Sequence, residues 1–436
     1  MMKLEDYLAQ DARLYPNKTA VVCGAESCTY SELYEQVEKR SALFTDRKGH
    51  VVLIRASQTI DFIVEYLAVH KAGAVAAPME KDTPQELFDE LSRNLVSHTL
   101  HEDIADVLYT TGTTGKSKGV MISHRAIIAD AENLIAGQRF THELVFIVNG
   151  PLNHIGSLSK IYPIIVQGAT LLIIEGMKDI NLFFSALDYP APKMATFFVP
   201  ANIRMLTRFS ADRLSSYAHK IDFIECGGAP LAHADMVELC RLLPQTRLYN
   251  TYASTETGII STYNYNDGRC IAGCLGHAMP HSRVFISPDG RISCQGDTLM
   301  SGYLDAPEMT ATVLRNNTAY MSDFGRIDAE GMLHITGRLD DVINVGGYKV
   351  APTEVEDTAL LLPEVKDCIC ISVPHPITGC ALKLLVVTAS GQALNKRQIA
   401  HHLRQRLEVY KVPMLYEQVD YVERTYNGKL NRKYYR

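Results

Sequence analysis

Positive charge is not in excess in this sequence. Lysine and arginine number 43 against 49 aspartates and glutamates, for a net charge of -6. The basic residues are scattered, with no run that would give the basic field of a nucleic-acid platform, so a nucleic-acid partner is excluded. Long apolar runs are missing too. The most apolar stretches, LVFIVNGPL and GATLLIIEG, are far too short to span a bilayer. The opening MMKLEDYLAQDARLYP is amphipathic and acidic, without the apolar stretch or cleavage signal of a secretory leader. That places the chain in the cytoplasm and its ten cysteines as reduced thiols. Cys368/Cys370 and Cys270/Cys274 are close in sequence, but neither has a second pair at zinc-site spacing, so no metal is assigned to them. Repeats and low-complexity segments are absent.

What is there is the pattern of a globular protein: 47% hydrophobic and 21% charged residues over a 436-residue chain. Residues 1–100 read as helices alternating with short strands. LEDYLAQDARLYP and YSELYEQVEKRSALF have helical spacing, the second with Thr29 as N-cap. HVVLIRAS, the helix TIDFIVEYLAVHKAG ending at Gly73, and AVAAPM form a β-α-β step. Up to about residue 300, strand-like VFIVNGP, ATLLIIEG, IDFIECGGA and RLYNTYA alternate with helical HRAIIADAENLIAG and ADMVELCRLL, which favours parallel sheets covered by helices. Such sheets bind ligands beyond the carboxyl ends of their strands, where the glycine and hydroxyl turns fall. RVFISPDGRISCQG reads as two strands around a Pro-Asp-Gly turn, hence a small antiparallel sheet or barrel. After GRLDDVINVGGYKV comes a compact α+β pattern, with VEDTALLLPEV and NKRQIAHHLRQRLEVY as helices and DCICISVP and LKLLVVTAS as strands. The expected fold is α/β: a large domain over 1–339 of mostly parallel subdomains plus a barrel-like sheet, then a small mobile α+β domain over 340–436.

The densest chemistry is YTTGTTGKSKG, Tyr109 to Gly119. A Walker loop needs glycine, four residues, then Gly-Lys-Ser/Thr, and counting back from Gly115 puts Thr110 where the first glycine belongs. The P-loop reading fails on spacing. Glycines that admit the backbone, hydroxyls that donate hydrogen bonds and a lysine charge still suit a phosphate; a flexible polar loop is the bland alternative.

YTTGTTGKSKGVMISHRAI resembles the signature Thr-Ser-Gly-Thr-Thr-Gly-x-Pro-Lys-Gly of the adenylate-forming superfamily, which includes acyl- and aryl-CoA synthetases, luciferases and adenylation domains of peptide synthetases. Thr111 stands for its serine and Ser117 for its proline. Further motifs follow in order: PLNHIGSL, ECGGAPL, NTYASTETG with Ala253 for a glycine, SGYLDAPEMT, SDFGRIDAEGMLHITGRLDDVINVGGYKVAPTEVE, and the closing NGKLNRKYYR. The resemblance runs from about residue 5 to the last residue. It implies an ATP-dependent ligase that joins a small-molecule carboxylic acid to a thiol through an acyl-adenylate.

Carried over residue by residue, it implies these roles. Thr111, Gly112, Thr113, Thr114, Gly115 and Lys118 would hold the phosphates and the departing pyrophosphate. Glu256 would bind Mg²⁺, with Thr255 beside the α-phosphate; alone, that Thr-Glu pair reads equally as a helix N-cap. Gly228, Ala229 and Pro230 would pack on the adenine, with Asn250, Thr251 and Tyr252 alongside. Asp323 would accept the ribose hydroxyls, assisted by Arg338. Met321-Ser322 replace the family's Thr-Gly before it. Lys429 would neutralise charge at the α-phosphate, Asp340 would be the hinge, and Gly346 and Gly347 would line the tunnel for coenzyme A or a carrier-protein phosphopantetheine. His154, Asn202, Gly227, Gly228 and Thr251 would wall the acid pocket; an ordinary core or capping histidine competes for His154. GPLNHIGSLSKIYP has no acidic residue, which disfavours an amino-acid substrate. Fewer than thirty residues separate AVAAPM from Tyr109, so the N-terminal subdomain looks trimmed. A carrier-loading enzyme and a catalytically silent nucleotide-binding homologue are the competing readings. Oligomeric state and the identity of the acid are not encoded legibly.

Overall fold

The computed structural model describes residues 2–95, 98–111, 117–338, 341, 343–345, 348–376, 379–389, 393–424 and 430–435, with the side chains of Thr111, Ser117, Lys349 and Lys433 outside that description.

Two α/β sheets organise the large N-terminal domain. The first runs, from its edge, through Glu26–Thr29, Thr19–Cys23, Thr170–Ile173, Val145–Val148, Met194–Phe198, Ile221–Cys226, Arg247–Ser254 and Gly258–Asn264. Only the first and last pairings are antiparallel. Val145–Val148 and Thr170–Ile173 are buried at every residue, as strands covered on both faces must be. The second sheet orders Val51–Arg55, Val75–Met79 and Ile104–Thr111 in parallel, then adds Ser117–Ser123 and Gly302–Tyr303 antiparallel. Between the sheets lie the helices Leu4–Leu14, Tyr30–Ser41, Ile60–Lys71, His124–Gln138 and Ile161–Gln167, whose apolar faces share one core with both.

Local chemistry sets the helix boundaries. Thr29 caps Tyr30–Ser41 in a capping box: its hydroxyl accepts from Glu32 N–H at 3.2 Å, and Glu32 accepts from Thr29 N–H at 2.8 Å. Ile60–Lys71 stops before Gly73, whose φ of +72° is left-handed. The outer face of the second sheet carries Gln85–Leu95, packed through Phe88, Leu91 and Leu95. The outer face of the first sheet carries Ile180–Leu187, Pro200–Phe209 and His233–Leu242.

Gly258–Asn264 continues into an antiparallel sheet of Cys274–Ala278, Leu333–Arg338, Thr318–Ile327, Arg291–Gly296 and Ser282–Ile286. This is the barrel-like sheet expected from the Pro-Asp-Gly turn. The smaller C-terminal domain has its own core, from Ile343 to Tyr416. It pairs Val365–His375 with Gly379–Thr388, adds Leu415–Gln418 in parallel, and backs them with Pro352–Ala359 and Lys396–Arg404. The last helix is shorter than NKRQIAHHLRQRLEVY suggests; a separate single turn at Val409–Lys411 follows it. None of the ten cysteines is in a disulfide. Among the described residues, no helix is long and apolar enough to cross a membrane.

Candidate active site

The glycine and hydroxyl motif forms a β-hairpin. Ile104–Thr111 and Ser117–Ser123 pair with Tyr109 opposite Gly119, Thr110 opposite Lys118 and Thr111 opposite Ser117. Lys118 thus stands in the strand, one register step from the loop. The loop residues Gly112, Thr113, Thr114 and Gly115 lie outside the described residues. Gly302–Tyr303 pairs along the outer edge of the second strand, held further by Leu304 N–H to the Gly119 carbonyl and Ser301 N–H to the Met121 carbonyl, both at 2.8 Å.

Thr255 and Glu256 do not open a helix. They sit in the turn that joins Arg247–Ser254 to Gly258–Asn264, closed by Gly258 at φ +65° and by Thr257 N–H donating to Ser254 Oγ at 3.1 Å. The N-cap reading therefore fails, because the chain continues as a strand. Met300 N–H donates to the Glu256 carbonyl at 2.9 Å, and the Tyr303 hydroxyl donates to Glu256 Oε1 at 2.8 Å. Lys118 Nζ lies 5.4 Å from the centre of the Tyr303 ring. Burial, then the Glu256 charge, pushes the Tyr303 phenol well above its ordinary range, so it acts as a donor. Tyr303, to which the motif assigned no role, thus joins Glu256 and Lys118. Its signal was present, as the tyrosine of SGYLDAPEMT.

Asp323 lies within the strand Thr318–Ile327, not in a loop, directly opposite Arg338 on Leu333–Arg338. Its side chain is 13% exposed; the carboxylate accepts from the Tyr252 hydroxyl at 2.6 Å and is 2.9 Å from Arg338 Nε. With Met321-Ser322 in place of Thr-Gly, the aspartate is still paired in the ladder, just before a bulge at Phe324/Gly325, and Met321 is buried in the barrel core.

The glycine turn after Ile221–Cys226 places exposed Gly228 at φ +78°, followed by Ala229 and Pro230. A side chain at Gly227 would meet the Thr251 carbonyl at 3.2 Å and the Phe197 ring at 3.3 Å. Asn250 and Thr251 are buried and spend their side chains internally: Asn250 donates to the Cys274 carbonyl at 2.8 Å, and Thr251 Oγ1 is 3.0 Å from Thr262 Oγ1. His154 is half exposed at the start of Ile155–Leu158, so it is no core histidine and makes no side-chain cap. Its Nε2 lies 3.8 Å from Glu80 at the end of a strand in the other sheet. An acidic group therefore faces this segment, from a position that reading PLNHIGSL alone could not supply. Asn202 is partly buried in the first turn of Pro200–Phe209.

Beneath Phe197 is a buried ion pair. Lys160 Nζ lies 2.8 Å from each carboxylate oxygen of Glu225, both side chains being at most 1% exposed, and 5.2 Å from the centre of the Phe197 ring. Deeper still, Asp130 accepts from Ile259 N–H at 2.7 Å and so ties His124–Gln138 to the hairpin that carries Glu256. Burial raises the Asp130 carboxyl from 3.8 to about 7, against the lowering influence of that N–H and of Lys160. The native state therefore keeps a proton that the unfolded chain loses, and this group costs stability as pH rises from about 4 to about 7. Asp130→Asn keeps the acceptor and is expected to gain stability relative to the parent between pH 5 and pH 8, read from urea midpoints at each pH.

Lys429, Asp340, Gly346 and Gly347 lie outside the described residues; among those described, one group joins Lys118, Tyr303 and Glu256 and another joins Tyr252, Asp323 and Arg338. Tyr252 and Glu256 stand at the carboxyl end of the first sheet, Asp323 and Arg338 on the strands that continue it, and Lys118 and Tyr303 on the antiparallel strands of the second sheet.

The family model described as AMP-binding enzyme matches residues 8–93 and 89–304, and the AMP-binding enzyme C-terminal domain matches residues 354–429. The chain belongs to the AMP-binding enzyme family. The two pieces of the first match meet inside Gln85–Leu95, in the segment that looks trimmed. As a member of the AMP-binding enzymes, the chain is similar to a feruloyl-CoA synthase of Amycolatopsis sp, at 26% identity over 96% of this chain and 95% of that one. It is also similar to a D-alanine–D-alanyl carrier protein ligase of Staphylococcus epidermidis, at 24% identity over 96% and 95%. The crystal structure of ATP-bound MatB from Rhodopseudomonas palustris shares the fold, with a TM-score of 0.86 at 23% identity over 100% of this chain and 98% of that one.

Proposed function

We propose that this protein is an ATP-dependent acid–thiol ligase that makes a thioester of coenzyme A through an acyl-adenylate. The observation that carries the reading is the cluster of Lys118, Tyr303 and Glu256 at the base of the glycine and hydroxyl hairpin, with Asp323 on the neighbouring barrel strand. Relatives named for CoA and for carrier-protein ligation support the chemistry at family level.

In the first half-reaction a substrate carboxylate oxygen attacks the α-phosphorus of ATP and the bond to pyrophosphate breaks. Such a transfer asks mainly for positioning and charge stabilisation. Lys118 and the threonines of the hairpin hold the β- and γ-phosphates, Thr255 the α-phosphate, and Asp323 with Arg338 the ribose. Glu256 fits a hard cation: it is a carboxylate with one oxygen oriented by Tyr303, so it would hold Mg²⁺, which neutralises phosphate charge. Gly228, Ala229 and Pro230 border the adenine, and His154 the acid. Lys429, on a domain spanning 340–436 and turning about Asp340, approaches the α-phosphate. In the second half-reaction the thiol, having lost its proton, attacks the acyl carbonyl past Gly346 and Gly347, and AMP leaves.

The test is pyrophosphate release by pure protein with MgATP across a panel of carboxylic acids, repeated with CoA and with a carrier protein as acceptor. Release that depends on no acid overturns the ligase reading, and turnover with the carrier alone replaces CoA as the acceptor. Tyr303→Phe removes a hydrogen bond to a charged group, worth about 1.5–3 kcal/mol. It is expected to lower kcat/KM for MgATP by about ten- to a hundredfold, measured by steady-state pyrophosphate release.

A further inference from the structure

A second constellation lies between the sheets, away from the nucleotide residues. Glu5 is in the first turn of Leu4–Leu14, His70 in the last turn of Ile60–Lys71, and His124 opens His124–Gln138 behind its Ser123 cap. All three are buried, at 8%, 1% and 4% exposure, and one ligand atom of each lies within 4.8 Å of the others. His70 Nδ1 and Glu5 Oε2 are buried without a hydrogen-bond partner. Two such polar atoms in one small space call for a shared occupant, since each buried unpaired group is costly.

The surroundings favour a cation. His70 Nε2 is 2.8 Å from Asp106 Oδ1, and the other Asp106 oxygen accepts from the Tyr66 hydroxyl at 2.8 Å. When an imidazole gives one N–H to a carboxylate, its other nitrogen presents a lone pair, as in carboxylate–histidine–zinc triads. The His124 ring stands edge-on to His70, with centroids 5.3 Å apart. Around the two imidazoles, Glu5 and Asp106 are negative and Lys3 is positive; Lys3 is half-buried at the start of the first helix.

We infer that Glu5, His70 and His124 form a binding site for a divalent transition-metal cation of the zinc class. Two imidazole nitrogens and one carboxylate oxygen are a common zinc ligand set, with water in the fourth position. The ligand atoms need to draw together by about an ångström to reach bonds of ~2.0–2.2 Å. The first helix supplies one ligand, and the other two come from helices that contact both sheets. The bound ion therefore pins the first helix to the base of the phosphate hairpin, since His124 follows directly on Ser117–Ser123. This site is independent of acid activation.

The experiment is titration of chelator-treated full-length protein with Co²⁺, followed by visible d–d absorption and by metal content after gel filtration. One Co²⁺ per chain is expected, displaced by Zn²⁺. Glu5→Gln, isosteric with the parent, and His124→Asn are expected to lose the absorption while circular dichroism stays native. Asp106→Asn is expected to weaken binding about ten- to a hundredfold. Glu256→Gln is expected to leave the Co²⁺ spectrum unchanged, which separates this site from the magnesium position. No uptake by the parent, or an unchanged spectrum in folded Glu5→Gln, overturns the site.

Discussion

Lys429→Ala is expected to lower acid-dependent pyrophosphate release by about a hundred- to a thousandfold, the loss that follows removal of one charge-stabilising group from a transition state. The same variant is expected to convert a supplied acyl-adenylate and thiol to thioester at close to the parent rate. The separation follows from the proposed roles. The lysine is required while charge builds on the α-phosphate, and it is turned away when the thiol enters. Single-turnover measurement of each half-reaction checks this. Equal loss in both half-reactions contradicts the two-position role, and no loss in either assigns the adenylation charge to Lys118 instead.

The second large effect is on stability. Lys160→Met strands Glu225 as an uncompensated charge in a site at most 1% exposed, and breaking such a pair costs about 3–5 kcal/mol. Lys160→Met/Glu225→Leu removes both charges and is expected to recover most of that loss, since a well-packed apolar replacement of a buried pair is often neutral or better. Guanidinium denaturation followed by circular dichroism measures both. If the single and double variants fall equally, the penalty comes from lost packing around Phe197 and not from the orphaned charge.

The motifs that were legible in the sequence are those whose chemistry is local. The hairpin, the Thr255–Glu256 turn and Asp323 were marked by their resemblance to family motifs in order, and the strand alternation implied sheets covered by helices. The partners of these residues were not legible. Tyr303 reaches Glu256, Tyr252 reaches Asp323, and Glu80 approaches His154, in each case across elements whose adjacency only the folded sheets create. Periodicity reports which face of an element is apolar, not which element covers it. The same limit hid Lys160 and Glu225: each sits in an apolar setting that hydropathy reads as core, and their charges are tolerated only because they meet. It also explains Asn250 and Thr251, whose place beside the Thr-Glu turn suggested ligand contacts while their side chains serve the ladder.

The closing segment of the chain is bracketed by two arginines. Arg424 donates to both oxygens of Asp367 at 2.8 and 3.0 Å, and Arg432 donates to both oxygens of Glu356 at 2.7 Å and lies 3.3 Å from Asp341. Seven residues, Lys429 among them, separate the two arginines in sequence; both arginines are tied to the small domain, and Arg432 reaches the neighbour of the proposed hinge residue. In the proposed mechanism, the effective concentration of Lys429 at the nucleotide is then set by the position of the small domain that carries both arginines. On that proposal the lysine charge arrives only with domain rotation, and loosening either arginine anchor is expected to blur the alternation between the two half-reactions before it abolishes either one.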